Sequence, residues 1–204
     1  MPRPSRKPLH YFLFNKPYGV VSQFTPLGTH KSLKDFGPFP HDVYPVGRLD
    51  ADSEGLLLLT NDDTLKHRLT DPKYGHSRIY LAQVENIPTE SELYLLRRGV
   101  TLAGIKSLPL EAEVLSKEPD LPSRAVPIRY RKNVPTSWIR ITLHEGKNRQ
   151  VRRMTAAIGH PTLRLVRTGI DFLELAGLQP GEHRPLTAPE LNRLRISAGL
   201  ADPV

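Results

Sequence analysis

Hydrophobic and polar positions recur along this chain with two different periods, and the switches between them mark its elements. Tyr11 to Phe14 is an apolar run that stops at Asn15-Lys16-Pro17-Tyr18-Gly19 and resumes at Val20-Val21, as a strand ending in a turn would. Leu56 to Thr60 is continuously apolar, the pattern of a fully buried strand. Ile79 to Glu85 alternates, with Ile79 and Leu81 on one face and Tyr80, Ala82 and Val84 on the other. Trp138 to Leu143 alternates as well, with Ile139, Ile141 and Leu143 facing a core. Helical spacing then takes over at Val151, Met154, Thr155 and Ile158, and Gly159 ends that helix.

Two capping boxes open further helices. Thr89 with Glu92 precedes Leu93 and Leu96, with Gly99 as the stop; Thr187 with Glu190 precedes Leu191, Leu194 and Ala198. A short helix is expected after Asp62 or Asp63, ending before Pro72, and Leu102 to Ser137 reads as short strands and proline-rich turns. The stretch from Thr25 to Pro45 is a loop of unusual length, expected to be functional or mobile. Strands and helices mix without βαβ alternation, which predicts an α+β fold around a mostly antiparallel sheet. Residues 9–204 are expected to form a single domain, preceded by a disordered basic arm over residues 1–8.

Composition narrows the partners. The 204 residues suit one sizeable domain, and the 20 prolines, about twice the usual share, fit many loops. No apolar run is long enough to span a membrane, and no signal-peptide core is present. The absence of cysteine excludes disulfides and thiolate metal sites and fits a cytoplasmic protein. Lys and Arg number 29 against 21 Asp and Glu, for a net charge of +8. Arg124 to Arg153 holds nine basic residues and one acid, Glu145, so that stretch alone equals the net charge of the chain. Charge gathered in this way is the footprint of a polyanion partner, because neutralised phosphates release their counterions. The rival reading is a solvated basic face without a partner.

Chemistry concentrates at two places. In Lys147-Asn148-Arg149-Gln150-Val151-Arg152-Arg153, Asn148 can cap the helix, which sets Arg149, Arg152 and Arg153 in its first turns. Cations at the positive end of the helix dipole cost about 0.3–1 kcal/mol each unless an anion offsets them. That anion is either a phosphate or a carboxylate from elsewhere in the chain. Asp50, followed by Asp52 and Glu54 just ahead of the buried Leu56–Leu59 run, is the candidate carboxylate, and Arg48 is close enough to pair with it. Ordinary turn acids would look the same on spacing alone. The segment superficially matches an EF-hand opening, but the twelfth position is Asn61 and leucines fill the middle. No phosphate-binding loop, dinucleotide fingerprint or nucleophile elbow is present, and the histidines lack metal-ligand spacing, so neither cofactor nor metal is expected.

Taken together, these segments resemble a known family. Gly47-Arg48-Leu49-Asp50-Ala51-Asp52-Ser53-Glu54-Gly55-Leu56-Leu57-Leu58-Leu59-Thr60 resembles the catalytic motif of RNA pseudouridine synthases. Phe14-Asn15-Lys16-Pro17-Tyr18-Gly19-Val20 is similar to the family's first motif, and Glu145 to Met154 to its third. The resemblance covers about Tyr11 to Leu194, and the Gly47-Arg48-Leu49-Asp50 motif is similar to that of the branch that modifies small- or large-subunit ribosomal RNA. It implies an α+β catalytic fold with a sheet split by a cleft, and cofactor-free, metal-independent isomerisation of uridine to pseudouridine in ribosomal RNA, with 23S RNA expected. It implies Asp50 as nucleophile, Tyr80 as the active-site tyrosine stacking on uracil, and Arg152 paired with Asp50. Lys16, Arg48, Lys147, Asn148, Arg149, Gln150 and Arg153 would bind substrate. Many branch members carry an S4 RNA-binding domain; only about ten residues precede Tyr11 here, so RNA affinity is expected from the catalytic domain itself. A monomer is expected. Two rivals stand beside this reading: a non-catalytic ribosome-assembly protein on the same fold, and a metal-dependent nuclease built on Asp50, Asp52 and Glu54.

Overall fold

The computed structural model describes residues 7–129, 131–175 and 177–200. In chain order its elements are β1 (Tyr11–Lys16), β2 (Tyr44–Pro45), β3 (Glu54–Thr60), α1 (Asp63–Thr70), β4 (Arg78–Glu85), α2 (Glu90–Arg97), β5 (Thr101–Leu102), β6 (Ile105–Lys106), β7 (Glu111–Val114), β8 (Thr136–Leu143), α3 (Gln150–Ala157), β9 (Thr162–Ile170), β10 (Leu173–Glu174), β11 (His183–Pro185) and α4 (Ala188–Ser197). Most of the basic arm expected over residues 1–8 lies outside the described residues; Lys7 and Pro8 are exposed. No helix among the described residues is long and apolar enough to cross a membrane.

Among those residues nine strands join one sheet in the order β11-β1-β3-β9-β4-β8-β7, with β2 on β3 and β10 on β9. Its pairings are antiparallel except for β3 with β9. That parallel contact is two residue pairs long, Glu54 with Val166 and Gly55 with Arg167, after which the strands part. The split is the cleft that the resemblance implies. Arg167 spans it, its Nε donating to the Leu56 carbonyl at 2.8 Å. Gly55 makes the close approach possible: its φ is +106°, and a Cβ there would stand 2.2 Å from the Arg167 carbonyl oxygen.

Three cores flank the sheet, and they explain the sequence pattern. Leu56 and Leu58 of β3 join Leu13, Leu65, Leu69 and Leu194 beneath α1 and α4. Leu57 and Leu59, on the opposite face, join Phe14, Leu33 and Val43. A strand buried on both faces must be apolar at every position, and every residue of β3 is buried. On the other side of the split, Ala82, Val84, Ile139, Ile141, Val151, Met154 and Leu96 pack β4 and β8 against α2 and α3.

Two expectations change here. The segment from Thr25 to Pro45 contains a 3-10 helix at Leu33–Phe36 and packs Leu33, Phe36, Phe39 and Val43 onto the sheet. It is a cover for β1 and β3, since their second apolar face would otherwise meet water. The central strand β9 is not predicted by the sequence pattern. Arg164 and Arg167 interrupt its apolar period, and both are nearly buried because each has an acceptor across the joint: Glu54 for Arg164 and the Leu56 carbonyl for Arg167.

Candidate active site

The turn that carries Asp50 is fixed by backbone contacts before any side-chain chemistry begins. Leu49 is buried, its N–H donates to the Ser22 hydroxyl at 3.0 Å, and the Ser22 hydroxyl donates to the Leu49 carbonyl at 2.8 Å. Gly19 N–H donates to the Ala51 carbonyl at 2.7 Å, and Ser53 N–H closes the turn onto the Asp50 carbonyl at 3.0 Å. Asp50 is thus presented from a rigid backbone, with 37% of its side chain exposed to whatever enters the cleft.

The segment after β8 meets this turn. Arg149 has φ +48° and ψ +34°, a left-handed conformation one residue ahead of α3, with no side-chain cap bond. Such a conformation is costly for a residue with a Cβ and persists where the surroundings enforce it. It aims the guanidinium at Asp52, which accepts from Nη1 at 3.1 Å and Nη2 at 2.8 Å, and brings Nη1 within 3.7 Å of Asp50. Asn148 therefore does not cap the helix. Gln150 organises the loop in its place: its Oε1 accepts the Lys147 N–H at 2.9 Å and its Nε2 donates to buried Glu145 at 2.5 Å.

The expected Asp50–Arg152 ion pair is not made. Arg152 sits inside the helix, so its guanidinium reaches the far side of the turn. Nη2 donates to the Asp52 carbonyl at 2.7 Å, Nη1 to the Thr162 carbonyl at 3.2 Å, and Nε lies 3.4 Å from the Asp52 carboxylate. Asp52 is consequently the shared partner of both arginines. Burial pulls its carboxyl up, but the Arg149 hydrogen bond and the charges of Arg152 and Arg149 outweigh burial and hold it below the usual range.

The other expected residues divide. Arg48, Asp50, Tyr80, Lys147, Asn148, Arg149 and Gln150 line one cavity of about 290 Å³. Arg48 is exposed at its rim and makes no ion pair with Asp50 among the described residues. Lys147 is tied to Glu145 at 2.9 Å. Arg153 is exposed and outside the cavity. Lys16 is a correction: its side chain is fully buried, and its ammonium donates to the Val20 carbonyl at 2.6 Å and the Pro17 carbonyl at 2.9 Å. It braces the turn below the cleft and does not line the cavity. Burial lowers its pKa to about 7, against the opposing pull of Glu54, Asp52 and Asp50.

Two residues that the sequence pattern does not single out also line the cavity, Arg78 and Arg167. Tyr80 pairs across strands with Arg167, where the β4–β9 register slips by one residue, and Arg78 stands two positions before Tyr80 on the same strand. The signal that could have found Arg78 is its spacing from Tyr80; the one for Arg167 is an arginine inside an apolar stretch. Among the described residues, no three His, Cys, Asp or Glu side chains converge as metal ligands would.

A cleft opened by a single parallel joint in a mostly antiparallel sheet, with an aspartate turn on one lip, a tyrosine on the floor and an arginine-bearing helix start opposite, defines a class. The chain belongs to the RNA pseudouridylate synthase family, whose model matches residues 10–157. Among curated proteins it is 50% identical to ribosomal large subunit pseudouridine synthase E of Vibrio vulnificus over 177 residues, 87% of this chain and 75% of that one. It is 51% identical to the synthase E of Xanthomonas campestris pv. campestris, over 84% of this chain and 92% of that one. Ribosomal large subunit pseudouridine synthase B of Bacillus subtilis is 43% identical over 92% of this chain and 72% of its own length. A solved pseudouridylate synthase structure superposes with a TM-score of 0.77 at 29% identity, over 93% of this chain and 75% of that one.

Proposed function

We propose that this enzyme isomerises a uridine of large-subunit (23S) ribosomal RNA to pseudouridine, with Asp50 as nucleophile. One observation carries the assignment of roles: Asp50 is held on a rigid turn at the wall of a cavity whose floor is Tyr80. The target nucleotide leaves its stack to reach such a cavity, since its glycosidic bond is inaccessible within a helix. The N1–C1′ bond then breaks, the ring turns, C5 bonds to C1′, C5 loses its proton and N1 gains one, so that substrate and product are isomers. Asp50 engages the sugar or the base while the two are apart, and Tyr80 stacks on the uracil. Arg149 and Arg152 act through Asp52 to keep the turn in place, with Arg149 adding a charge near Asp50. Arg48, Lys147 and Arg153 meet phosphates at the rim. The protein works as a monomer in the cytoplasm, folded as one catalytic domain over residues 9–204.

The relatives named as large-subunit synthases support the choice of RNA. The deciding experiment incubates wild type and Asp50→Asn with protein-free 23S and 16S transcripts in the presence of EDTA. Carbodiimide primer-extension stops map the product. A single stop in 23S RNA, lost with Asp50→Asn, is the expected outcome. A stop in 16S RNA alone would move the substrate, and a stop that survives Asp50→Asn would remove Asp50 as nucleophile.

A further inference from the structure

The cavity floor holds more positive charge than the fold can account for. Arg167 is 3% exposed; its Nε serves the Leu56 carbonyl, while Nη2 is buried with no partner among the described residues. Arg78 donates Nη2 to the Leu69 carbonyl at 2.9 Å and leaves Nη1 buried without one. Neither guanidinium has a carboxylate within 4 Å there, in contrast with Arg149, Arg152 and Arg164 nearby. The acid that Arg78 feels, Asp171, is occupied by His76, the Ser77 N–H and the Ser197 hydroxyl. Burial and the neighbouring charge of Arg167 pull the Arg78 pKa down, with burial the larger effect. Two desolvated cations side by side, each with an unused N–H, are costly unless something that visits the cavity accepts from them.

We propose that Arg78 and Arg167 read the flipped base: their guanidinium N–H groups donate to the carbonyl oxygens of uracil at the edge of the Tyr80 ring. The register places Arg167 directly across from Tyr80 and Arg78 beside it, so a base stacked on Tyr80 turns its edge toward both. Two consequences follow from donor chemistry. A guanidinium has only donors, so it bonds to the O4 of uracil and repels the N4 amino group that cytosine presents at the same place. When the N1–C1′ bond breaks and its electron pair passes to the ring, negative charge spreads onto those carbonyl oxygens, where donors already fixed in a dry site stabilise it. Phosphates of the same nucleotide are met at the exposed rim, whereas Arg167 lies at the floor.

This proposal deepens the synthase reading and rests on it, but its main test does not require the ribosomal target. In an Asp50→Asn background, fluorescence anisotropy would measure binding of labelled decauridine and decacytidine, with and without Arg78→Gln. Arg78 is the position to change, because Arg167 also bridges the β3–β9 joint; circular dichroism melting confirms folding, and Arg78→Lys restores the charge. The parent is expected to favour decauridine by about ten-fold, and Arg78→Gln to erase most of that preference. Equal weakening of both oligonucleotides would mean a phosphate contact and overturn base reading, as would an unchanged preference or a parent with none. In turnover of 23S RNA, Arg78→Gln should lower kcat much more than it raises KM. Failure of the wild type to modify 23S RNA would refute the ribosomal substrate and leave the oligonucleotide comparison to judge the arginines.

Discussion

Lys16 lies in an environment far from the one its residue type prefers. Its ammonium is enclosed at zero exposure, bonded to two carbonyls, beneath three carboxylates that lower the cost without contacting it. Its pKa falls from 10.5 to about 7 on folding, so the unfolded chain keeps a proton that the native state gives up between these values. Stability therefore rises with pH across about 7 to 10.5 and bears the full cost of burying the cation below 7. Urea midpoints of wild type and Lys16→Met should differ in this way: the wild type gains on the variant by a few kcal/mol from pH 7 to pH 10. A constant difference would mean that Lys16 remains charged. The sequence singles out Lys16 by its place in a motif and suggests the wrong surroundings for it. Asp50 and Tyr80 are legible because the motifs single them out, and both line the cavity. Arg78 and Arg167 are not, because a charged residue in a strand reads as solvent-facing until a neighbouring strand is known to cover it.

At the level of elements, the joint between β3 and β9 decides the geometry of the site, and it depends on Gly55. Any side chain there meets the Arg167 backbone at 2.2 Å while holding a backbone angle that L-residues avoid. Gly55→Ala is expected to cost on the order of 3–5 kcal/mol and to lower the melting temperature by about 10 °C or more. A calorimetric midpoint within about 2 °C of wild type would show that the strands can part without penalty. Local signals recover the helices well: the Thr89–Glu92 and Thr187–Glu190 capping boxes are both formed, and Gly159 follows α3 with φ +88°. What they cannot supply is β9. Its stability comes from β4 and β3, far back in the chain (Val84 opposite Thr162, Glu54 opposite Val166), and no window of its own sequence contains them. The long Thr25–Pro45 segment reads as a bare loop for a related reason. Its phenylalanines have meaning only opposite the second face of β1 and β3.

For the whole molecule, the net charge of +8 is partly spent internally. Arg149 and Arg152 are held by Asp52, Lys147 by Glu145 and Arg164 by Glu54. RNA affinity should therefore depend on salt through the exposed remainder. Every phosphate that a substitution leaves unneutralised is expected to flatten the slope of log K against log salt by about 0.7. Arg153→Ala should show one such step while the modified position stays the same; an unchanged slope would remove Arg153 from the interface. The same topology constrains how the enzyme is made. β1 cannot complete its pairing until β11 exists, with Phe12 opposite Pro185, and β3 waits for Val166 before the joint can close. At roughly 5–20 residues per second, on the order of ten seconds separate synthesis of β3 from synthesis of its partner. During that interval β3 can already pair with β1, but the end of the strand beside Asp50 still lacks β9 on its other edge. The cleft is thus a seam sewn late in synthesis, and until then an unpaired edge lies open to misassociation next to Asp50.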